Sequence, residues 1–372
     1  MRLLKIQPEI HKFDTFKEFA VEFKIGKGDL LFTHDFLFDN YMKSLNLESE
    51  NLFFECFGTG EPSDETINYI MDAIRGKDIK RVVAVGGGSV IDISKLLILE
   101  DTKDCLNYFE KTVEIKKVRE LVIVPTTCGT GSEVTNIAIS EIKSKKTKMG
   151  LAVDQLYPES AVLIPELLMN LPYKFFVTSS IDALIHAIEA FVSPKANAYT
   201  EIFSVNAIEM ILKGYMKIIE NGEEYRKEII EDFMIGSNYA GIAFGNAGVG
   251  AVHALSYPLG GVYHVPHGEA NYQFFTEVFK TYLAKDPKGK IAEVNEVLAD
   301  IMNIPEGEDV YAGLSNVLDK LLSRKPLREY GMKEKEIEEF ADAVIAGQQR
   351  LLANNYVPLE RADIVNIYKN LY

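Results

Sequence analysis

"RVVAVGGGSVIDISK", Arg81–Lys95, is the stretch on which the fold turns. A short β-branched run that suits a buried strand leads into Gly86, Gly87, Gly88 and Ser89, and a helical pattern follows at once. Glycine there lets the backbone come close to a ligand, and a helix start offers free N–H groups and positive dipole to a phosphate. The spacing is not the GxGxxG of the usual dinucleotide fingerprint. Taken alone, this turn could be no more than a tight strand-to-helix connection.

A second turn of the same kind weighs against that. "LVIVPTTCGTGSEVT", Leu121–Thr135, is again an apolar run, followed by hydroxyls and glycines that include Thr126, Thr127 and Thr130. N-cap chemistry accounts for one or two of these residues but not for the whole run. Two such turns at strand ends point to a dinucleotide site.

Outward from these turns the pattern continues. "DLLFTH" around 30–34, "NLFFECF" and "SAVLIP" read as further strands, and "SDETINYIMDAIRG" reads as an amphipathic helix between two of them. That alternation predicts a parallel sheet with helices on both faces, an α/β fold. After "LPYKFF" the strand runs stop. From about Val177 to Tyr372 only helical periodicity is found, broken by "NAGVG", "PLGG" and "KDPKGK". Pro172 interrupts both patterns, so the expected domains are an α/β dinucleotide-binding domain over 1–173 and an all-helical metal-binding domain over 174–372.

Length and composition agree with two ordered domains, since 372 residues is long for one core. A formal charge of −15 argues against nucleic acid or anionic membrane as partner. Cys56, Cys105 and Cys128 are far apart, which implies neither a disulfide framework nor a zinc ribbon. The amino terminus "MRLLKIQPEIHKFD" lacks a signal-type apolar region, and no apolar run is read as spanning length. These features predict a cytoplasmic protein.

The second domain poses a chemical question in "SSIDALIHAIEA", Ser179–Ala190. Asp182 and His186 are four apart, hence on one helix face, in an otherwise apolar setting. On its own the pair could be a cap and a satisfied core histidine. Three of the six histidines, however, fall within "VHALSYPLGGVYHVPHG". His253 from another helix and His267 from the following loop would complete an N3O set for one divalent ion, Zn(II) or Fe(II). His11 and His34 read as ordinary.

Together these residues resemble the iron-containing, or group III, alcohol dehydrogenase family. The likeness lies in GGGSxxDxxK, here Gly86–Ser89, Asp92 and Lys95, and in PTTxGTGSEVT, here Pro125–Thr135. It extends through Asp182-x3-His186 and the segment from His253 to Gly268, and so covers essentially the whole chain. The resemblance implies the dehydroquinate synthase-like architecture, NAD as cofactor and an active site between the two domains. It implies Asp182, His186, His253 and His267 as metal ligands. Gly86, Gly87, Gly88, Ser89, Asp92, Thr126, Thr127 and Thr130 would surround the cofactor, and Lys148 in "KTKMG" matches the family's ribose lysine. Four further segments, "KFDTFKEF", "PYKFFVTSSIDALIHA", "GIAFGNAGVGAVHALSYP" and "SRKPLREYGMKE", narrow the likeness to members that oxidise a four-carbon hydroxy acid to its semialdehyde.

Two departures stand out. Many members carry a histidine four residues after the third ligand, where this chain has Tyr257, and the family's cofactor-side asparagine is here Glu61. A phenol is a poor base at neutral pH, so Tyr257 and His264 are both candidates for carrying the proton that alcohol oxidation releases. Asp35 in "FTHDF" and Glu61 in "GEPSDE" are expected to accept from a ribose 2′-OH and to repel a 2′-phosphate, which favours NAD over NADP. The expected partners are a small-molecule substrate and further copies of the chain, a dimer at least. A rival is a non-redox lyase like the dehydroquinate synthases, but the segments around the expected metal site are small and apolar rather than densely basic. A silent NAD-sensing module is disfavoured by an intact ligand set.

Overall fold

The computed structural model describes residues 2–58, 60, 62–145 and 147–372. It divides into two compact units, Ile6–Leu171 and Pro172–Tyr372, the second also taking the residues before Ile6.

The first unit runs β1 (Glu9–Lys12), α1 (Phe16–Glu22), β2 (Asp29–Thr33), α2 (Asp35–Leu37), β3 (Glu50–Phe53), α3 (Asp64–Ile74), β4 (Arg81–Gly86) and α4 (Gly88–Leu97). It continues with α5 (Leu106–Phe109), β5 (Glu120–Pro125), β6 (Ile137–Ile142), β7 (Thr147–Ala152) and β8 (Ser160–Leu163). Six strands form one all-parallel sheet in the order β1-β8-β5-β4-β2-β3. Val82–Val85 and Leu121–Val124 are buried throughout, as expected of central parallel strands covered on both faces. The chain leaves β2 toward β3 on one side and leaves β4 toward β5 on the other. The carboxyl ends of β2 and β4 therefore flank a topological switch point, where open α/β sheets bind their ligands.

Three strands were not in the expected set, and one expected strand is shorter than its apolar run. β1, "EIHK", carries no apolar run and becomes a strand only through its pairing with β8. β6 and β7 form a separate antiparallel hairpin. In β6, Ala138, Ser140 and Ile142 face inward, but the polar Ser140 obscures the period-two signal; its hydroxyl donates to the Pro62 carbonyl. The run "NLFFECF" is strand only as far as Phe53 and then becomes a 3₁₀ turn over Phe54–Cys56.

The second unit contains α6 (Tyr173–Val192), α7 (Ala198–Asn221), α8 (Ile230–Ala247), α9 (Ala251–Tyr263) and α10 (His267–Lys285). It ends with α11 (Lys290–Met302), α12 (Val310–Leu321), α13 (Glu336–Gly347), α14 (Gln349–Leu352) and α15 (Arg361–Leu371), with no strand among the described residues. Here one expectation is corrected: by length and composition α6 is apolar enough to cross a membrane. The reason is its position, because α7, α8 and α10 pack around it and bury nearly its whole length. It is the core helix of this unit.

Candidate functional site

The buried centre of the helical unit collects four ionisable side chains. Asp182 and His186 come from α6, His253 from the first turn of α9, and His267 from the first position of α10. Their ligand atoms all lie within 4.8 Å of one another. The Nε2 atoms of His186 and His253 are 2.9 Å apart, and Asp182 Oδ1 is 3.7 Å from His253 Nε2. Donor atoms sharing one ion at about 2.0–2.2 Å stand roughly 3–4 Å from each other, so the cluster fits a single divalent cation. Burial alone would raise the Asp182 carboxyl's pKa. The positive forms of the three imidazoles and the Asn271 amide overcome it and hold the value below the ordinary carboxylate range.

Local chemistry explains why the four converge. Phe244 stacks on the His186 ring with centroids 4.3 Å apart and fixes its plane. Pro266 stops the preceding segment and serves as the N-cap of α10, which begins at His267. The next residue must be small: a Cβ on Gly268 would lie 2.5 Å from the Thr178 carbonyl oxygen, so glycine alone lets α10 approach α6 this closely.

Two supporting residues escaped the sequence reading. Glu189, one turn beyond His186 on α6, is buried; its Oε2 lies 2.6 Å from His253 Nδ1 and its Oε1 accepts from the Val252 N–H at 2.8 Å. That contact places the proton on Nδ1 and leaves Nε2 to face the cluster, the arrangement a metal-binding imidazole requires. Burial presses the His253 pKa down, but the Glu189 charge and hydrogen bond, with Asp182, hold it above its ordinary value. Asn271 donates to Asp182 Oδ1 at 2.7 Å and lies 3.1 Å from His267 Nε2, while its own Oδ1 accepts from the buried Ser256 hydroxyl. The spacing of Glu189 from His186 was visible in the sequence, but its partner is 64 residues away.

In the first unit the two glycine-rich turns lie side by side at the ends of β4 and β5, where Gly86 pairs with Pro125. Gly87 faces the Thr127 side chain at 3.5 Å and Gly88 faces Thr130 at 3.1 Å, measured from the Cβ each would carry. Thr126 donates its N–H to the Gly86 carbonyl. Ser89 donates to the Gly60 carbonyl, and Thr130 Oγ1 accepts from the Ser132 N–H. Asp92 is turned toward the protein: it accepts from the Ser132 hydroxyl at 2.8 Å and from the Ile139 N–H at 3.0 Å. The fully buried Lys95 donates to Ser132, Thr135 and the Ile137 carbonyl. Burial lowers its pKa to about 8 against the opposing pull of Asp92 and Glu133. Asp92 and Lys95 thus brace the second turn from behind.

Residues 10–165 match the iron-containing alcohol dehydrogenase family, and residues 176–372 match the C-terminal part of the Fe-containing alcohol dehydrogenase family. The chain belongs to the iron-containing alcohol dehydrogenase family. It is 63% identical to the 4-hydroxybutyrate dehydrogenase of Clostridium kluyveri over 372 residues, all of both chains. It is 34% identical over 319 residues to long-chain-alcohol dehydrogenase 1 of Geobacillus thermodenitrificans, covering 83% of this chain and 79% of that one. NADH-dependent butanol dehydrogenase A of Thermotoga maritima has the same fold, with a TM-score of 0.81 at 21% identity over 100% and 98% of the two chains.

The remaining candidates of this alcohol dehydrogenase are spread more widely. Tyr257 is half-buried one turn after His253, its ring centroid 6.3 Å from that of His267. His264 is exposed, in left-handed conformation at the C-cap of α9, and is not one of the four clustered groups. Asp35 is exposed at the end of β2 beside the switch point. Glu61 lies outside the described residues. An acid that sequence reasoning passed over stands next to Asp35 instead. Glu55 accepts the Asp35 N–H at 3.2 Å and contacts His34 Nδ1 at 2.6 Å. Burial opposes its charge, yet the His34 contact and backbone N–H groups hold its pKa below the usual carboxylate range. Lys148 is half-buried on β7.

Proposed function

We propose that this chain is an NAD- and divalent-metal-dependent dehydrogenase interconverting 4-hydroxybutyrate and succinate semialdehyde. The observation that carries the reaction class is the convergence of the buried Asp182, His186 and His253 with the half-buried His267. Identity of 63% along the full length of the Clostridium kluyveri enzyme supports the substrate. A bound divalent ion supplies Lewis acidity that lowers the pKa of a hydroxyl reaching it, and a nicotinamide supplies the hydride acceptor.

The protein's own part is positional. Glu189 keeps the His253 proton on Nδ1, Asn271 turns the Asp182 carboxylate, and the apolar flanks of α6 and α9 bury Asp182, His186 and His253. In the other unit, Gly86–Ser89 and Thr126, Thr127 and Thr130 provide the backbone approach and hydroxyls for a dinucleotide, with Asp92 shaping that loop and Lys148 as the ribose lysine. Asp35, with Glu55 beside it, favours NAD(H) by repelling a 2′-phosphate. Tyr257 and His264 are the proposed proton carriers. The ion is taken as Fe(II), with Zn(II) compatible with the same N3O donors. The protein is taken as a cytoplasmic homo-oligomer, a reading supported as to compartment by Cys56, Cys105 and Cys128, which form no disulfide.

An anaerobic NADH-oxidation screen tests this reading. Succinate semialdehyde should exceed butyraldehyde, lactaldehyde and 3-hydroxypropanal in kcat/KM, and NADH should exceed NADPH. A wide margin for an uncharged aldehyde would remove the substrate assignment, and a preference for NADPH would remove the role of Asp35. A pH–rate profile of His264→Phe that overlays wild type would take His264 out of the mechanism.

A further inference from the structure

The start of α9 leaves hydrogen-bonding capacity to be accounted for. Glu189 Oε2 grips His253, and Oε1 accepts from the Val252 N–H. A carboxylate oxygen has room for a second donor. Whatever stands beside Oε1 decides how firmly that grip is held.

Two buried side chains from outside α6 and α9 approach it. Tyr282 comes from α10 and is 1% exposed; Asn355 follows α14 and is 8% exposed. Among the described residues, neither the Tyr282 hydroxyl nor Asn355 Oδ1 has a hydrogen-bond partner, although both atoms are shut off from solvent. Buried polar atoms left unpaired are rare, and each calls for a reason. Burial and the Glu189 charge push the Tyr282 pKa well above its ordinary value, so this group is a neutral hydroxyl with a proton to donate. The Ala251 N–H nears its oxygen short of hydrogen-bond geometry, and as a donor it cannot accept that proton.

These atoms converge on one point. A Cβ on Gly250 would lie 3.0 Å from Asn355 Oδ1, 3.3 Å from Glu189 Oε1 and 3.5 Å from the Tyr282 hydroxyl oxygen. Glycine keeps that point clear of side chain, and Asn354 fixes the neighbouring segment by donating from Nδ2 to the Val249 carbonyl at 3.1 Å. An oxygen atom there would stand at or just beyond hydrogen-bond distance from all three. Two of the three can only accept, and the third has a proton to give. One water molecule matches that set, donating to Asn355 Oδ1 and Glu189 Oε1 and accepting from Tyr282. Buried waters typically make about three such bonds, to groups otherwise unsatisfied. A monovalent cation matches less well, because the phenol proton would still lack an acceptor.

Resting on the metal-site reading above, we propose that Tyr282 and Asn355 are positioning residues that hold the Glu189 carboxylate against His253 through one buried water beside Gly250. The water ties α10 and the segment after α14 to the contact between α6 and α9. Residues outside the four clustered groups thereby set how rigidly one of them is presented.

A crystal structure of the metal-loaded wild type and chelator competition test this. The electron density should show a water within about 3 Å of the Asn355, Glu189 and Tyr282 oxygens. Tyr282→Phe, which keeps the ring, and Asn355→Leu should each weaken metal binding about 3- to 10-fold, the worth of one hydrogen bond. Gly250→Ala, whose methyl would take the water's place, should do the same. A double-mutant cycle separates positioning from a merely structural role. In a Glu189→Gln background, Tyr282→Phe should lose most of its effect, because the two residues act in one chain. Additive losses, or density with the Asn355 amide directly on Glu189 and no water between them, would overturn the proposal. The wild-type density decides the matter even where a variant does not fold. A wild type that binds no divalent ion would remove the metal-site reading, and the density would still decide the water.

Discussion

Asp182 is almost wholly buried, in company with three imidazoles, and that is tolerable only because charge and hydrogen bonds surround it. Removing a member should therefore release the ion rather than merely weaken catalysis. Asp182→Ala and His267→Ala are expected to lose bound metal and turnover together, while His11→Ala, in the other unit, changes neither; metal analysis of the purified proteins checks this. Glu189→Gln should be graded. A partner that orients a metal-binding histidine typically contributes about 10–100-fold in metal affinity, and competition with a chelator would show a shift in that range. Wild-type affinity in Glu189→Gln would mean that the 2.6 Å contact to His253 does not set the tautomer. At this scale the sequence was informative where partners share a helix turn, as Asp182 and His186 do. It was silent about Glu189, Glu55 and the contact of Asn271 with Asp182, where the partners are 20 to 89 residues apart in the chain and the residue types are common in helices and loops.

Elements place these residues, and helix approach is the controlling distance. α6 supplies two of the clustered groups and α10 a third, across a contact that only a missing side chain permits at Gly268. Gly268→Ala must push α10 away from the Thr178 carbonyl, since backbone cannot yield as a flexible side chain can. Overpacking of this sort costs about 1–3 kcal/mol. The expected outcome is a lower denaturant midpoint together with weaker metal binding, measured on the same preparation; an unchanged midpoint would show that the helices have slack. The long apolar helix α6 and the strands before the two glycine turns were legible because their periodicity is local. β1 was not, because four mostly polar residues become a strand only when β8 offers its edge. The β6–β7 hairpin was hidden by an inward-facing serine that satisfies its hydroxyl on a distant carbonyl.

For the molecule as a whole, the proposed ion site and the proposed dinucleotide site lie in different compact units. A ligand that binds only the folded state stabilises it by mass action, by about 4 kcal/mol at a thousandfold excess over Kd. Added metal should therefore slow hydrogen exchange first in α6, α9 and α10, and chelation should reverse it. Equal slowing throughout the sheet of the first unit would contradict a site confined to the helical one. The sequence by itself determined the class of each unit, the two phosphate-type turns and the ligand candidates, because strand and helix periods and i,i+4 spacing are short-range properties of the chain. Tertiary structure alone decided which groups meet. It set Glu189 on His253, Asn271 on Asp182 and Glu55 beside Asp35. The first two contacts join residues 64 and 89 apart in the chain, brought together by the packing of α10 on α6 and α9, and no local pattern of side chains encodes a distance of that kind.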